Sequence, residues 1–412
     1  MPETQRATIA FSMLGTLYAL GFTNLFLRGS LGIMAPALSV EMQLTPTTLS
    51  IVASSFFFAY AAMQIPAGMF LDRFGPRLTL AALLLFTAAG AALFALSDSA
   101  MELVLARILM GVGCAGIFTG AFYVLTRWVP AKNIVTQSGI LNSVASLGGL
   151  CATTPLAALI VMIGWRNSYW IFTCCVILLL IVVAVRVRDM PPGQTALPGP
   201  RETIGSVFRG VAEVFCQVGM VRLVFVGVPL ATQSTLLGVW GAPYLADVHG
   251  LDSIGRGNIL LMMALAGMIG HVTYGMLARL INSIKSVILG GMVLIIGATA
   301  IFAAVEQPPL WLVVTLFCVI AISAMYPMLA FAHAKGLVPL HLVGRGLAVT
   351  NMGIMTAIAV TQMLFGWVVG QFSVEAMQSP EIAYRVAFGV QSGLAVLAML
   401  IYFPIRDCKP SG

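Results

Sequence analysis

The chain of 412 residues is 60% hydrophobic and only 8% charged, whereas a soluble domain carries about 25% charged residues. Together with a mean hydropathy of +1.01, this composition excludes an ordinary soluble protein. The formal net charge is +7, but no basic tract with interleaved aromatic residues accompanies it. The basic residues therefore indicate membrane topology rather than nucleic-acid binding.

Long apolar runs recur along the whole chain. A run of roughly 20 apolar residues can cross a hydrocarbon core about 30 Å thick, and inside that core the backbone must satisfy its own hydrogen bonds as a helix. The pattern predicts an all-α membrane protein with twelve transmembrane helices. The predicted spans are 9–37, 47–69, 77–97, 101–125, 134–163, 166–187, 220–245, 255–280, 283–305, 309–333, 343–371 and 383–406.

The longest polar stretch separates the sixth span from the seventh. It contains Pro- and Gly-rich clusters that cannot continue a helix. We therefore predict an N-terminal six-helix bundle at 1–187, a cytoplasmic linker at 188–219 and a C-terminal six-helix bundle at 220–412. Within the linker, a weakly amphipathic segment near 203–217 is expected to lie along the membrane surface.

The basic residues are distributed unevenly between the two sets of loops. With the N-terminus inside, sixteen Lys and Arg residues fall in cytoplasmic segments and three in outer segments, which is a strong positive-inside bias. We predict an integral protein of the plasma (inner) membrane with both termini in the cytoplasm. The cytoplasmic residues are Arg6, Arg73, Arg77, Arg127, Lys132, Arg186, Arg188, Arg201, Arg209, Arg222, Arg279, Lys285, Lys335, Arg345, Arg406 and Lys409; the outer ones are Arg166, Arg256 and Arg385.

A short charged turn follows the second span. It reads Gly68-Met-Phe-Leu-Asp72-Arg73-Phe-Gly75-Pro-Arg77, which resembles the loop motif Gly-x-x-x-Asp-Arg-x-Gly-x-Arg of the major facilitator superfamily. The resemblance implies that these five residues form a conformational latch on the cytoplasmic side. Such contacts would hold the outward-open state and break on switching, whereas the alternative interpretation is a loop that only sets topology.

The fourth span and a weak repeat of the two halves extend this resemblance over the whole chain. The fourth span carries Arg107, Gly111 and Gly113, similar to the family's Arg-x-x-x-Gly-x-Gly pattern. The turn after the eighth span departs from the family, because Arg279 stands where an acid is expected. The resemblance implies two pseudo-symmetric six-helix bundles and secondary transport by rocker-switch alternating access. We expect a monomer.

Two arginines fall within predicted spans, Arg28 in the first and Arg107 in the fourth. An arginine at the centre of a transmembrane helix costs about 2.5–3.5 kcal/mol on insertion scales, so such a residue indicates function. None of the fourteen acids falls near a bilayer midplane, which predicts an electropositive cavity. Asn24 lies four residues before Arg28 and shares its helix face.

The first helix around Arg28 resembles that of the organic-anion and phosphate-ester branches of the family, where an arginine at this place contacts the anionic substrate. The resemblance implies that Arg28 binds substrate, aided by Asn24 and Arg107. Two alternatives stay open: Arg28 snorkels or bonds to carbonyls, and Arg107 packs helices together.

Further polar and aromatic residues mark candidate contacts in the second half. Gln233 and Trp240 lie on one face of the seventh helix, where the sequence around Trp240 is similar to that of sugar-phosphate permeases. An aromatic belt at the outer interface is the alternative interpretation. Tyr326 in the tenth span and Asn351 in the eleventh are candidate substrate contacts. His271 in the eighth span could carry a coupling proton, although a packing role is commoner.

The sequence contains no signature of nucleotide, metal or covalent chemistry. The loop Gly-x-x-x-x-Gly-Lys-Ser/Thr is absent, which excludes ATP-driven transport by this chain. The seven cysteines include no C-x-x-C pair, so neither a zinc site nor a disulfide framework is indicated. We therefore expect no enzyme activity, no cofactor and no metal.

The sequence favours a secondary transporter that moves a small organic anion across the bilayer. A proton or a counter-anion remains open as the coupling ion. The alternatives are a carrier of the same superfamily for drug or siderophore/metal-chelate efflux or uptake and, in another class, a transporter-like ligand sensor.

Overall fold

The computed structural model describes residues 3–189, 204–372 and 380–409. Within these ranges the regular elements are helices, and no strand occurs there. The first half contains α1 (Glu3–Glu41), α2 (Pro46–Leu96), α3 (Ala100–Ala115), α4 (Ile117–Trp128), α5 (Ala131–Cys151) and α6 (Thr154–Arg186). They are followed by α7 (Ile204–Cys216), α8 (Met220–Val224), α9 (Gly227–Thr235), a π-helix (Leu236–Trp240), α10 (Gly241–His249), α11 (Ser253–Ile281), α12 (Ile284–Ala304), α13 (Leu310–Ser323), α14 (Pro327–Leu337), a 3-10 turn (Leu340–Leu342), α15 (Val343–Gln371) and α16 (Pro380–Tyr402).

The helices accommodate the predicted spans, although two of them run through a sharp turn. Nine helical stretches of the described chain are long and apolar enough to cross a membrane. Within α2, Gly75 (φ 78°, ψ 166°) turns the chain between the second and third spans, and Gly164 (φ 81°, ψ 163°) does the same inside α6. Glycine suits both positions because it has no Cβ to oppose a positive φ. With α1 added, and with α5 and the part of α6 before Gly164 counted together as the fifth span, the prediction of an all-α, twelve-helix membrane protein is confirmed.

Four of the predicted spans are broken. The fifth is interrupted at residues 152–153, between α5 and α6. The fourth divides at Gly116 into α3 and α4, and the seventh runs through the π-helix at Leu236–Trp240. The tenth is interrupted between Ser323 and Pro327, where proline lacks the N–H that a continuous helix needs. In transporters, discontinuous helices commonly bring backbone groups to a binding site.

The chain forms two compact units. Unit 1 comprises Met1–Ser30 and Phe58–Arg201, and unit 2 comprises Leu31–Phe57 and Glu202–Gly412. The segment Leu31–Phe57, which ends α1 and begins α2, therefore packs with the elements of the second half. The division into bundles at 1–187 and 220–412 with a linker at 188–219 remains a prediction from the sequence.

The amphipathic part of the linker is helical. Helix α7 covers the segment that the sequence marked as amphipathic and packs against the beginning of α15. A Cβ at Gly210 would collide with the Arg345 guanidinium, so the two helices approach closely at this glycine. The Glu213 carboxylate lies 3.6 Å from His341 Nε2. The expected position of α7 at the membrane surface stays a prediction.

Candidate functional site

The break in the fourth span defines the polar centre of unit 1. The last carbonyls of α3 have lost the continuous helix that would have bonded them, and side-chain amides from two other spans reach them. Asn24 Nδ2 donates to Cys114 O at 2.8 Å, and Gln64 Nε2 donates to Ala115 O at 2.9 Å. All four residues are buried. The first two spans therefore hold the broken fourth span at this point.

Arg107 lies deep in unit 1. Its side chain is 1% exposed, and Nη1 donates to the carbonyl of Leu27 at 3.2 Å. The guanidinium also lies in electrostatic range of Tyr169 and Cys114. Arg107 thus joins α3 to α1, which is the packing role that the sequence left open beside substrate contact.

Arg28 is only partly buried. It lies one helical turn after Asn24, and Tyr60 and Cys114 lie in its vicinity. Cys114 lies in the vicinity of both arginines, and the convergence of Arg28 and Arg107 on a substrate stays a prediction. Of the two arginines, Arg28 has the exposure that a ligand contact requires.

Three residues of this centre were not singled out from the sequence. Gln64 bonds the broken helix, Tyr60 faces Arg28, and the Tyr169 hydroxyl lies 2.7 Å from Ser30 Oγ. Tyr169 also stacks on Phe94 with ring centroids 4.3 Å apart. An amide in an otherwise apolar span was the available signal for Gln64, since intramembrane polar groups usually bond other helices.

The candidate residues of unit 2 occupy different environments. Gln233 on α9 and Asn351 on α15 are partly buried, whereas Trp240 and Tyr326 are fully buried. The Tyr326 hydroxyl donates to Val226 O at 3.3 Å, at the junction of α8 and α9. Tyr326 therefore holds a helix junction in unit 2, as Asn24 does in unit 1.

His271 lies on the outside of α11. It is exposed, and its neighbours Ile269, Val272 and Met276 are exposed apolar side chains. This face of the helix suits lipid contact, and such a position gives the histidine no packed polar surroundings. A coupling role for His271 therefore has no support from its environment.

The turn proposed as a latch is held by an acid at the end of the first half. Asp189 Oδ1 accepts a hydrogen bond from the backbone N–H of Arg77 at 2.8 Å, and Arg77 Nε donates to Ala184 O at 2.7 Å. A Cβ at Gly75 would lie 2.6 Å from Asp189 Oδ1, so a side chain at this position would displace the carboxylate.

The other two charged residues of the motif are exposed. Asp72 and Arg73 both lie at the surface, and the Arg73 guanidinium lies over the Phe74 ring, 5.4 Å from its centroid. The predicted latch role concerns these residues most directly, and it stays a prediction. Gly68 is partly buried on α2, with nothing within 4 Å of an added Cβ.

The described residues offer no metal centre. Within these ranges, no group of three or more His, Cys, Asp or Glu side chains is placed to hold an ion. The polar centres found instead consist of amides, hydroxyls and guanidinium groups bonded at helix junctions. They are suited to hydrogen bonding and to binding negative charge.

Twelve membrane-crossing helices, four of them broken, define a polytopic transporter fold. The chain belongs to the Major Facilitator Superfamily, whose sequence profile matches residues 17–336. The family and the relatives of the chain are transporters.

Relatives of known description cover most of the chain. The "Probable sulfoacetate transporter SauU" of Cupriavidus necator is 24% identical, covering 97% of this chain and 95% of the relative. The "Probable galactarate/D-glucarate transporter GarP" of Escherichia coli is 23% identical, with 93% and 91% covered. A "Putative tartrate transporter" of Agrobacterium vitis is 23% identical, with 75% and 76% covered.

Solved structures share the fold at low identity. A bacterial homologue of the human lysosomal transporter Spinster, in an inward-facing and unoccupied conformation, superimposes with a TM-score of 0.77. Its identity is 17%, and the match covers 98% of this chain and 97% of that structure. A D-xylose–proton symporter gives a TM-score of 0.73 at 15% identity, with 96% and 97% covered.

Proposed function

We propose that this protein is a secondary transporter that moves a small organic anion across the plasma (inner) membrane by alternating access. The observation that carries the proposal is Arg28, a partly exposed arginine within a membrane span, beside Asn24 and the broken fourth helix. Three relatives are named as transporters of sulfoacetate, of tartrate and of galactarate/D-glucarate, and these names support the same substrate class.

Arg28 is the principal anion contact in this proposal. A guanidinium presents a planar fork that bonds a carboxylate, a sulfonate or a phosphate through two parallel hydrogen bonds. Arg107 is buried and bonds Leu27, so its role is to position α1 and to add positive potential. Asn24 bonds Cys114 and keeps α1 against the broken helix.

Orientation and coupling follow from the distribution of charge. Both termini lie in the cytoplasm, as the positive-inside bias favours, and the protein works as a monomer. No carboxylate lies near Arg28 in sequence or in the predicted midplane, so substrate gradient and membrane potential drive transport without a carboxylate proton relay. The cytoplasmic turn with Asp72 and Arg73 is the latch that changes contacts on switching.

A binding panel on the purified protein tests the proposed substrate class. Isothermal titration with sulfoacetate, tartrate and galactarate is compared with titration of a neutral sugar and of a cationic drug. We expect binding of at least one of the anions and no binding of the neutral and cationic compounds. Binding of the cationic drug alone would favour the drug carrier and contradict the anion proposal.

A further inference from the structure

Seven buried polar side-chain atoms of unit 2 have no protein hydrogen-bond partner among the described residues. Three belong to His249, Arg256 and Ser323, and the other four lie on α2, α9, the π-helix and α15. These four are Ser50 Oγ, Thr235 Oγ1, Trp240 Nε1 and Gln362 Oε1. Their residues are 0%, 1%, 2% and 0% exposed, in that order. A buried polar atom without a partner is unfavourable, so four of them in one unit call for a physical reason.

Helix α15 brings two of these side chains, Ser50 and Trp240, together at Gly366. A Cβ there would collide with Ser50 Oγ and would lie 2.6 Å from Trp240 Cζ2, so both side chains rest on the bare backbone of this residue. Gln362 lies one turn earlier on the same face of α15. The absence of a side chain at Gly366 is what lets Ser50 and Trp240 meet.

The orientation of Gln362 is fixed by its other amide atom. Gln362 Nε2 donates to Ser234 O at 3.1 Å, and a carbonyl oxygen can only accept. The amide nitrogen must therefore face α9, which leaves Oε1 as a buried acceptor without a partner among the described residues.

The hydroxyl groups of Ser50 and Thr235 differ from most others in these helices. Ser55 Oγ donates to Val52 O at 2.8 Å, and Thr350 Oγ1 donates to Gly346 O at 2.8 Å. Bonding to a carbonyl of the same helix is the usual solution for a hydroxyl in a membrane span. The hydroxyls of Ser50 and Thr235 do not bond a carbonyl of their own helix.

A π-helix begins directly after Thr235 and ends at Trp240. The N–H of Gly241 donates to Leu236 O, five residues earlier. π-turns inside α-helices are rare and often mark functional sites. A Cβ at Gly32 would lie 2.6 Å from Leu237 O, so the end of α1 covers this wide turn directly.

We propose that Ser50, Thr235, Trp240 and Gln362 form an uncharged subsite that binds hydroxyl groups of the transported anion. Two hydroxyls that donate and accept, an indole that donates and an amide oxygen that accepts together match an alcohol, which does both. A carboxylate only accepts, and the Gln362 oxygen would repel it. Leu31–Phe57 covers the subsite in this arrangement, and its movement during alternating access admits the ligand. The inference rests on the proposed anion transport and adds that the anion is hydroxylated.

L-tartrate and succinate are the probes that test the subsite. They have the same length and charge and differ by two hydroxyl groups. Isothermal titration of the full-length protein is expected to give a Kd for tartrate at least about tenfold below that for succinate, as one or two satisfied hydrogen bonds would give. The double variant Thr235→Val/Trp240→Phe makes both residues apolar and removes two of the three donors, leaving the Ser50 hydroxyl. It should raise the tartrate Kd about tenfold and leave the succinate Kd within about twofold.

Thr299→Val is the matched control, since the Thr299 hydroxyl is buried in unit 2 but bonds Ile295 O at 2.9 Å. It should leave the tartrate-to-succinate ratio unchanged. If the double variant does not fold, Ser50→Ala tests the same ratio with a smaller change. An unchanged ratio in the folded subsite variant, or an equal loss for both acids, overturns the subsite while anion transport stands. A parent protein that binds no organic anion at all overturns both proposals together.

Discussion

Arg28 and Arg107 share one side-chain chemistry, yet their surroundings give them different roles. Arg107 is buried against α1 and donates to the Leu27 carbonyl, so its charge acts on the site at a distance. Arg28 is partly exposed on the face that carries Asn24. Exposure decides which of two intramembrane arginines can reach a ligand.

Substitution of Arg28 separates charge from geometry. Lysine keeps the positive charge and loses the planar fork, so Arg28→Lys should weaken anion binding partly. Arg28→Gln removes the charge and should raise the Kd roughly ten- to a hundredfold, the equivalent of about 1.5–3 kcal/mol. The measurement is isothermal titration with the anion that binds the parent protein. Arg279→Gln, an exposed arginine at the end of α11, is the control and should bind as the parent does.

The unliganded Arg28→Gln protein should unfold at nearly the parent temperature. That result would show that any loss of binding comes from the site and not from the fold. Parent-like affinity in Arg28→Gln would contradict the assignment and support the snorkelling interpretation of this residue.

At the residue scale, the sequence revealed which charged residues lie within a span. It did not reveal which groups the polar side chains bond. The cost of an intramembrane arginine made Arg28 and Arg107 visible. Gln64 and Asp189 were missed because their partners are backbone groups of other helices. Those groups become available only through the break at Gly116 and the turn at Gly75, which hydropathy does not record.

Broken helices, rather than continuous ones, organise the polar centres of this molecule. In unit 1, Gln64 and Asn24 bond the end of α3, and in unit 2, Tyr326 bonds the junction of α8 and α9. Such junctions need polar partners because lipid provides none. Hydropathy located the spans well but treated each as one rod, so the breaks at Gly116 and at the π-helix were not predicted.

Removal of the Gln64 amide should loosen the broken fourth span. Gln64→Leu leaves the Ala115 carbonyl without its side-chain donor, and an unsatisfied buried acceptor costs about 1–3 kcal/mol. We expect a lower unfolding temperature in detergent and weaker anion binding, because Arg28 faces this junction. Unchanged values of both quantities would show that the amide does not hold the helix end.

The tail after α16 is attached to the beginning of α12 by the Asp407 carboxylate and by the carbonyl of Cys408, which accepts from the Ile284 N–H at 3.2 Å. The carboxylate accepts from the backbone N–H of Lys285 at 2.9 Å. Partial burial opposes the charged form, but hydrogen bonds from Ser283, Lys285 and Cys408 outweigh it and lower the pKa of Asp407 below its usual value. A depressed carboxyl pKa means that the attachment is present above the ordinary aspartate range and is lost as pH falls through the lowered pKa.

Proteolysis of the tail measures this attachment. We expect the tail of the parent protein to resist cleavage at neutral pH and to become more susceptible in acid, below the ordinary pKa of aspartate. Asp407→Ala, which removes the acceptor that asparagine would keep, should be more susceptible than the parent at neutral pH. Equal resistance of parent and variant at neutral pH would contradict the anchoring role.

The molecule as a whole combines a predictable architecture with an unpredicted grouping of its parts. Twelve spans and the family were readable from composition, periodic apolar runs and the turn that begins at Gly68. The association of Leu31–Phe57 with the second half was not, because it depends on glycines such as Gly32 and Gly366 that permit backbone contact. Hydropathy is blind to such contacts, and they cover the polar atoms of unit 2.

Counterflow in proteoliposomes tests the central claim most directly. Vesicles containing the purified protein are loaded with an unlabelled anion that binds it and are diluted into the same anion in trace labelled form, without ATP. The account predicts transient accumulation of label above equilibrium by the parent protein and by Arg279→Gln, and none by Arg28→Gln. Anion binding without counterflow in the parent, as a ligand sensor would give, or full counterflow in Arg28→Gln would contradict it.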